Sequence, residues 1–422
     1  MSRAHTIALV AIIVAAGLFR LGFSTLVVGW DADVRGDEID YHRLATSLSQ
    51  GEGYRIDGHP TCRRPPLYPY ELSILYRAFG PSPTAGRILQ IVLGMLVVYL
   101  VYRVAGRYFD ERVGLIAAAI AALNPFLIMM SGYLLTENTY VVLLLLALLI
   151  TPTPAYVNGP LRLVLISSAI MAAAALARPT GLPMALWMLF AGLLFGGGTL
   201  LYRARNCAYA AALFFVLLLP WLLHTHEVVG GWVGLTSHGG LTFYQGNNQR
   251  VVDVPHYRGG VAPLDGLPHA KEIAAMSELE RERFTRAKAL EFLRDNKRLI
   301  PKLAWWKFAR FWRLRSDAGL SGVRSGWWWN RDSFLGRLAS TFDVGFLYAI
   351  VAFPLFIAGV LLTRSRWREL MFPYGVAVAH TAVALVFFGS IRGRVPVEPV
   401  IAVFAAVTLA RLYHRFRRRP SS

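Results

Sequence analysis

Cysteine is nearly absent: 422 residues include only Cys62 and Cys207. Neither has a His or Cys neighbour at metal-ligand spacing, which excludes a cysteine-built metal site. Charge is scarce as well, at 16% of residues against roughly 25% in a soluble domain. Acidic charge is the scarcer sign, with 25 Asp and Glu facing 44 Lys and Arg for a net charge of +19. So basic a balance can signal nucleic acid. Here most of it flanks apolar runs, as membrane insertion requires, and nucleic acid is excluded as a partner. No G-x-x-x-x-G-K-[ST] fingerprint occurs, and the glycines Gly196 to Gly198 lack the strand–helix context of a phosphate loop. No His/Cys/Asp cluster demands a metal, so no cofactor is required. The run Asp31, Asp33, Asp37, Glu38 and Asp40 offers a divalent cation some ligands but reads better as a solvated acidic loop.

What the chain has is hydrophobicity, at 55%. Many runs approach the roughly 20 apolar residues that cross about 30 Å of hydrocarbon. The pattern predicts an all-α polytopic membrane protein of about ten transmembrane helices. They lie near 6–30, 84–105, 113–131, 138–151, 161–177, 181–201, 206–229, 342–363, 369–389 and 396–413. The first is too long, and lacks the small-residue cleavage site, for a signal peptide; it reads as a retained anchor. Arg20 lies about two-thirds of the way across it, where an arginine snorkels outward, meets a polar cavity or takes a lipid phosphate. Loops carrying Arg103, Arg107 and Arg112, then Arg203 and Arg205, then Arg364, Arg366 and Arg368, share one side with the basic tail over 411–422. The positive-inside rule makes that side cytoplasmic, with both termini on it. Cys62 and Cys207 then fall on opposite sides and remain unpaired.

The chain reads as a single transmembrane domain, 1–422, with two extracytoplasmic elaborations. In the first loop, 31–83, Tyr41, Leu44, Ala45 and Leu48 recur at helical spacing, as do Tyr68, Leu72, Leu75, Tyr76 and Phe79. Both runs are too short to span and are read as interfacial amphipathic helices. The long segment 230–341 holds a turn-rich patch from Phe243 to Asn248. Ser277 with Glu280 makes a capping-box signature for a helix to about Lys297. Trp305, Phe308 and Trp312 share one helical face, and Lys307, Arg310 and Arg313 line the other, as in an interfacial helix whose cations meet anionic headgroups.

Several ionisable groups fall at the outward ends of spans: Thr136-Glu137-Asn138, Arg178, Arg392 with Arg394, and Glu398. They share a side with Asp37 and Arg64. Together they suggest an outward cavity at lipid-headgroup level. Arginine presents a planar fork that matches phosphate oxygens. A carboxylate at the water interface can take a proton from an attacking hydroxyl. Such a cavity suits transfer of a group off a lipid phosphate. Arg63, Asp31 and Asp33 read as surface charges.

These motifs resemble the GT-C membrane glycosyltransferases, in the bacterial branch related to protein O-mannosyltransferases and the lipid A aminoarabinose transferase. Asp37-Glu38-Ile39-Asp40-Tyr41 matches the family's acidic motif after the first span, and Arg64-Pro65-Pro66-Leu67 its basic residue before Pro-Pro-Leu. Thr136-Glu137, Arg178-Pro179, Gly246-Asn247-Asn248 and the run from Arg392 to Pro396 follow in the family's order, over nearly the whole chain. The resemblance implies a sugar donor on a polyprenyl phosphate and an acceptor hydroxyl on a glycolipid, polysaccharide or protein. It implies a site at the outer face of the bacterial cytoplasmic membrane, among membrane lipids. Asp37 becomes the base, with Glu38 and Glu137 as further candidate catalytic carboxylates, Glu137 assisting acceptor positioning. Arg64, Arg392, Arg394 and Arg178 are candidates for the donor phosphate; Tyr41, Tyr68, Asn247 and Asn248 are candidates for substrate contact. Larger relatives carry a soluble domain after the last span. This sequence stops at Ser422, so 230–341 is the expected substitute. A flippase for a lipid-linked sugar would share the cavity but should show an internal repeat, and none is evident. A non-catalytic scaffold would tolerate loss of Asp37.

Overall fold

The computed structural model describes residues 2–151, 153, 160–314 and 344–417. The end of the predicted 230–341 segment and the last residues of the basic tail lie outside the described residues. Apart from a two-stranded ribbon, Arg55–Ile56 with His59–Pro60, the described chain is helical or irregular. Helix α1 (Arg3–Gly22) runs on through a π-helical turn, and α2 (Asp37–Ser49) and α3 (Leu67–Phe79) form the first loop. Then follow α4 (Pro83–Tyr108), α5 (Glu111–Leu123), α6 (Pro125–Met129), α7 (Glu137–Ile150), α8 (Leu161–Ala177), α9 (Gly181–Phe195) and α10 (Leu200–Val229). The long segment contributes α11 (Gly239–Gly246), α12 (Glu278–Asp295) and α13 (Ile300–Phe311). The last helices are α14 (Val344–Leu362), α15 (Met371–Val386) and α16 (Glu398–Arg417).

The chain is an all-α, multi-pass membrane protein. Among the described residues, five helical stretches are long and apolar enough to cross a bilayer: Arg3–Gly29, Pro83–Tyr108, Leu200–Val229, Val344–Leu362 and Ile391–Arg415. A bent pair, Glu111–Leu123 with Pro125–Gly132, joins them, and α7, α8, α9 and α15 are shorter apolar helices. Each run read as a span from hydropathy overlaps one of these helices, but only five of them, or six with the bent pair, reach spanning length among the described residues. The pair bends by 55° at Asn124 and Pro125. Proline has no N–H to continue the ladder. Asn124 Oδ1 accepts instead from the amides of Phe126 and Leu127, at 2.9 and 3.2 Å. That bend delivers residues 130–135 to the end of the bundle that carries the first loop.

The two short helices of that loop form where their apolar spacing placed them. They pack on each other through Tyr41, Leu44, Leu48, Tyr68, Leu72 and Tyr76, all buried. Three details differ from expectation. Arg20 does not snorkel; it is fully buried, donates to the carbonyl of Ala16 at 3.1 Å, and lies against Gly94. A Cβ at position 94 would sit 2.5 Å from Arg20 Nε, so only glycine admits the guanidinium there. Of the turn-rich patch from Phe243 to Asn248, Phe243 to Gly246 form the last turn of α11, and the chain turns at Asn247 and Asn248. Lys307 does not face headgroups. It is buried where α13 packs on α15, and its ammonium donates to Asn247 Oδ1 at 2.7 Å and to the carbonyls of Leu385 and Val386. A lysine with three acceptors at hand is satisfied without a counter-ion. The capping box at Ser277 and Glu280 opens α12 as its sequence predicts.

Candidate active site

The site begins with how the start of the loop is pinned. Arg87 of α4 donates to the carbonyls of Trp30 and Ala32, each at 2.6 Å, and to that of Gly132 at 3.3 Å. Gly36 then takes a positive φ of 56°, and α2 starts at Asp37. Asp37, Glu38 and Asp40 occupy the first helical turn, where negative charge complements the helix dipole. They diverge from there. Glu38 turns inward and accepts from the amides of Leu134, at 2.8 Å, and Arg35, at 3.2 Å. Burial raises its pKa, and those two amides oppose the rise. These two bonds fasten the loop to the 130–135 turn, and Glu38 also lines the cavity described below.

Arg64 arrives from the other side of the loop. The hydroxyl of buried Tyr54 donates to the carbonyls of Arg64 and Pro65, at 2.9 and 3.1 Å, fixing the backbone from which the guanidinium extends. Arg64 Nη2 lies 2.5 Å from Asp37 and 2.8 Å from Asp40, and its Nε 2.9 Å from Asp40. The cation also sits over the Tyr41 ring, 5.4 Å from its centroid. Arg392, from the turn before α16, places Nη1 2.5 Å from the other Asp37 oxygen. Its Nε donates to Glu137, which Arg178 also holds at 2.6 Å. Five side chains thus form one alternating chain: Arg64, Asp37, Arg392, Glu137, Arg178. Burial alone would raise the Asp37 pKa. Arg392 and Arg64 outweigh it and hold the carboxyl well below the usual carboxylate range.

The outward-end groups named from sequence therefore do converge, with corrections. Glu137 is fully buried and paired with both Arg178 and Arg392. Arg394 is not with Arg392. It is fully buried, paired with Glu398 at 2.9 Å and donating to the carbonyls of Phe311 and Arg313. On a helical turn, residues two apart point about 200° from each other, which separates the two arginines. Asn247 bonds Lys307 and the carbonyls of Phe243 and Val386, and Asn248 bonds those of Tyr244 and Gln245. Both asparagines are buried and bonded within the chain, and neither lines the cavity described below. Tyr68 is likewise buried, its hydroxyl accepting from Gln90 at 2.8 Å, and Tyr41 is buried beneath Arg64. The acidic run is dispersed among arginines and amides, and no group of three or more candidate metal ligands occurs among the described residues.

A cavity of about 310 Å³ opens over Asp37, lined by Arg64, Arg392, Arg63, Tyr133 and His238 among others. Sequence reasoning missed His238 and set Arg63 aside. No local pattern marks His238; it arrives because Ser237 N donates to the carbonyl of Cys62 at 3.1 Å and Thr236 Oγ1 to that of Arg63 at 2.6 Å. Glu278, at the start of α12, reinforces this seam by accepting from Cys62 N at 3.2 Å and Ser237 Oγ at 2.5 Å. Burial, with Arg64 and Arg63, pushes the His238 pKa down from 6.5 to about 3, against a smaller opposing pull from Asp37. Between those values the unfolded chain binds a proton that the folded chain does not. Stability therefore rises with pH across that window and falls as pH drops from 6.5 toward 3. His238→Gln should flatten this part of the thermal-stability profile; an unchanged slope would assign the loss to other groups.

A family model described as dolichyl-phosphate-mannose-protein mannosyltransferase matches residues 63–235. No curated protein sequence matches the chain significantly. Among solved structures, the archaeal oligosaccharyltransferase AglB from Archaeoglobus fulgidus, in complex with an inhibitory peptide and a dolichol-phosphate, superposes with a TM-score of 0.56 at 17% identity. That match covers 100% of this chain and 53% of AglB. ArnT from Cupriavidus metallidurans, in the apo state, gives 0.55 at 16% identity, over 98% of this chain and 60% of ArnT. The chain thus spans less than two-thirds of either protein.

Proposed function

We propose that this chain, whose fold is the GT-C fold of AglB and ArnT, is a membrane glycosyltransferase that moves a sugar from a polyprenyl phosphate to an acceptor hydroxyl. The observation that carries the reading is the Asp37 carboxylate bridging Arg64 and Arg392 at the floor of a cavity beside the membrane-embedded helices. The family match and the dolichol-phosphate in the AglB structure support a lipid-phosphate donor. The cavity faces the extracytoplasmic side of the cytoplasmic membrane, with both termini on the other side, in keeping with the arginine-rich short loops.

The chemistry follows from competition for two guanidiniums. Asp37 holds both, and a carboxylate so stabilised is a weak base. A donor phosphate takes Arg64 and Arg392 in its place and frees Asp37 to accept a proton. The acceptor O–H then gives its proton to Asp37 as its oxygen bonds to the anomeric carbon. The bond from that carbon to the phosphate oxygen breaks, and the arginines keep the leaving phosphate. Fixed cations aimed at the departing charge need no reorganisation during the step. Glu137 and Arg178 hold Arg392 in place. The test is transfer of labelled sugar by purified protein across a panel of polyprenyl-phosphate donors and hydroxyl acceptors. Donor-dependent product is expected; translocation of donor across liposomes with no product from any pair would sink the reading.

A further inference from the structure

The arginines at this end differ in how much of their hydrogen-bonding capacity is already used. Arg64, Arg392, Arg178 and Arg394 each lie within 2.9 Å of a carboxylate oxygen. Arg63 does not. Among the described residues its one ionic contact is Nε to Asp40 Oδ2 at 3.3 Å, too poorly aligned to make a hydrogen bond. That same oxygen already receives Arg64 at 2.8 Å. The Arg63 side chain is 39% exposed and lines the cavity. Its backbone, by contrast, is held on both sides: the amide donates to Thr61 Oγ1 at 3.1 Å, and the carbonyl accepts from Thr236 Oγ1 at 2.6 Å. A guanidinium with spare N–H groups on a fixed backbone is pre-organised for a ligand.

Its neighbour completes the face. His238 follows Thr236 by two residues and lines the same cavity, and its ring makes no hydrogen bond among the described residues. Burial and the adjacent arginines keep the imidazole neutral. A neutral imidazole offers one N–H donor without adding to the positive charge beside it. Arginine offers a planar fork that fits two oxygens of a phosphate. Carboxylates already hold Arg64 and Arg392, so an incoming oxyanion meets unengaged donors first at Arg63.

We infer that Arg63 and His238 form an oxyanion-binding face of the cavity, separate from the Arg64–Asp37–Arg392 chain, which takes a phosphate group. The inference rests on the cavity being the site of the transfer proposed above, and it adds a second point of recognition there. The phosphate belongs to the donor lipid or to a phosphorylated acceptor.

The experiment measures binding of two probes to the full-length protein in detergent: farnesyl phosphate for the donor and a water-soluble hexose phosphate for the acceptor. Arg63→Ala is expected to weaken at least one probe by about tenfold or more, since charge-assisted hydrogen bonds of this kind are worth that much. His238→Ala should weaken the same probe, and Arg63→Lys should recover only part of the loss because it lacks the fork. Loss of farnesyl phosphate assigns the face to the donor; loss of the hexose phosphate alone assigns it to the acceptor. Affinities within twofold of wild type for both probes, in variants with unchanged melting temperature, overturn the inference. Transfer activity separates the two ideas. Normal transfer with Arg63-independent binding rejects this face and leaves the glycosyltransferase, whereas Arg63-dependent binding without transfer does the reverse.

Discussion

Asp37→Asn is expected to lower sugar transfer by about 10²- to 10⁴-fold, the usual worth of a positioned general base. Its effect on binding should run the other way. The asparagine keeps the shape of the bridge between Arg64 and Arg392 but removes the charge that competes with phosphate for them. Affinity for a prenyl phosphate should therefore hold or rise while turnover falls. That split separates a base from a merely structural carboxylate, whose loss would weaken binding and stability together. Wild-type turnover in Asp37→Asn would remove Asp37 from the chemistry.

The second large effect is expected at Glu137, in stability. Glu137 has no exposure, and one of its oxygens receives both Arg178 and Arg392. Glu137→Gln leaves two guanidiniums around a neutral amide in a buried place. Breaking a buried pair from one side costs about 3–5 kcal/mol, because the remaining charge keeps its desolvation penalty. A marked fall in the melting temperature of the detergent-solubilised protein is the readout. Transfer should fall as well, since Arg392 loses one of the two carboxylates that orient it. A Glu137→Gln protein as stable as wild type would mean that Arg178 and Arg392 find other partners.

Much of this arrangement was legible in the sequence. The apolar periods of α2 and α3 and the long apolar runs of the spans are local signals, and local signals survive folding. Asp37 and Arg64 were visible as charges in the first loop, and Glu137, Arg178 and Arg392 as charges at span ends on the same side; the structure brings all five into one chain of ion pairs. The failures have physical causes as well. Arg394 was paired with Arg392 because they are neighbours in sequence, but the helical turn between them sends one to Asp37 and the other to Glu398. Lys307 looked like a headgroup anchor because its helix is amphipathic. The buried face is instead the one that docks on α15, and carbonyls there replace water. His238 and Arg63 were illegible for another reason. Their shared position depends on a seam between segments 173 residues apart, the Thr236 hydroxyl on the Arg63 carbonyl, and no short window of sequence records it.

The span of that ion-pair chain along the polypeptide bears on how the protein is made. Asp37 and Arg392 are 355 residues apart. During synthesis the loop carrying Asp37 is complete, and Glu137 already sits at the head of α7, long before the turn carrying Arg392 leaves the ribosome. Until then Arg178 is the only member of the chain able to neutralise Glu137. Helix α16 therefore does more than pack in the bundle. Its arrival supplies the cation that joins the two halves of the ion-pair chain, so assembly of this end of the bundle coincides with insertion of α16. A nascent chain stalled before that point holds every carboxylate of the site without the arginine that locks them together.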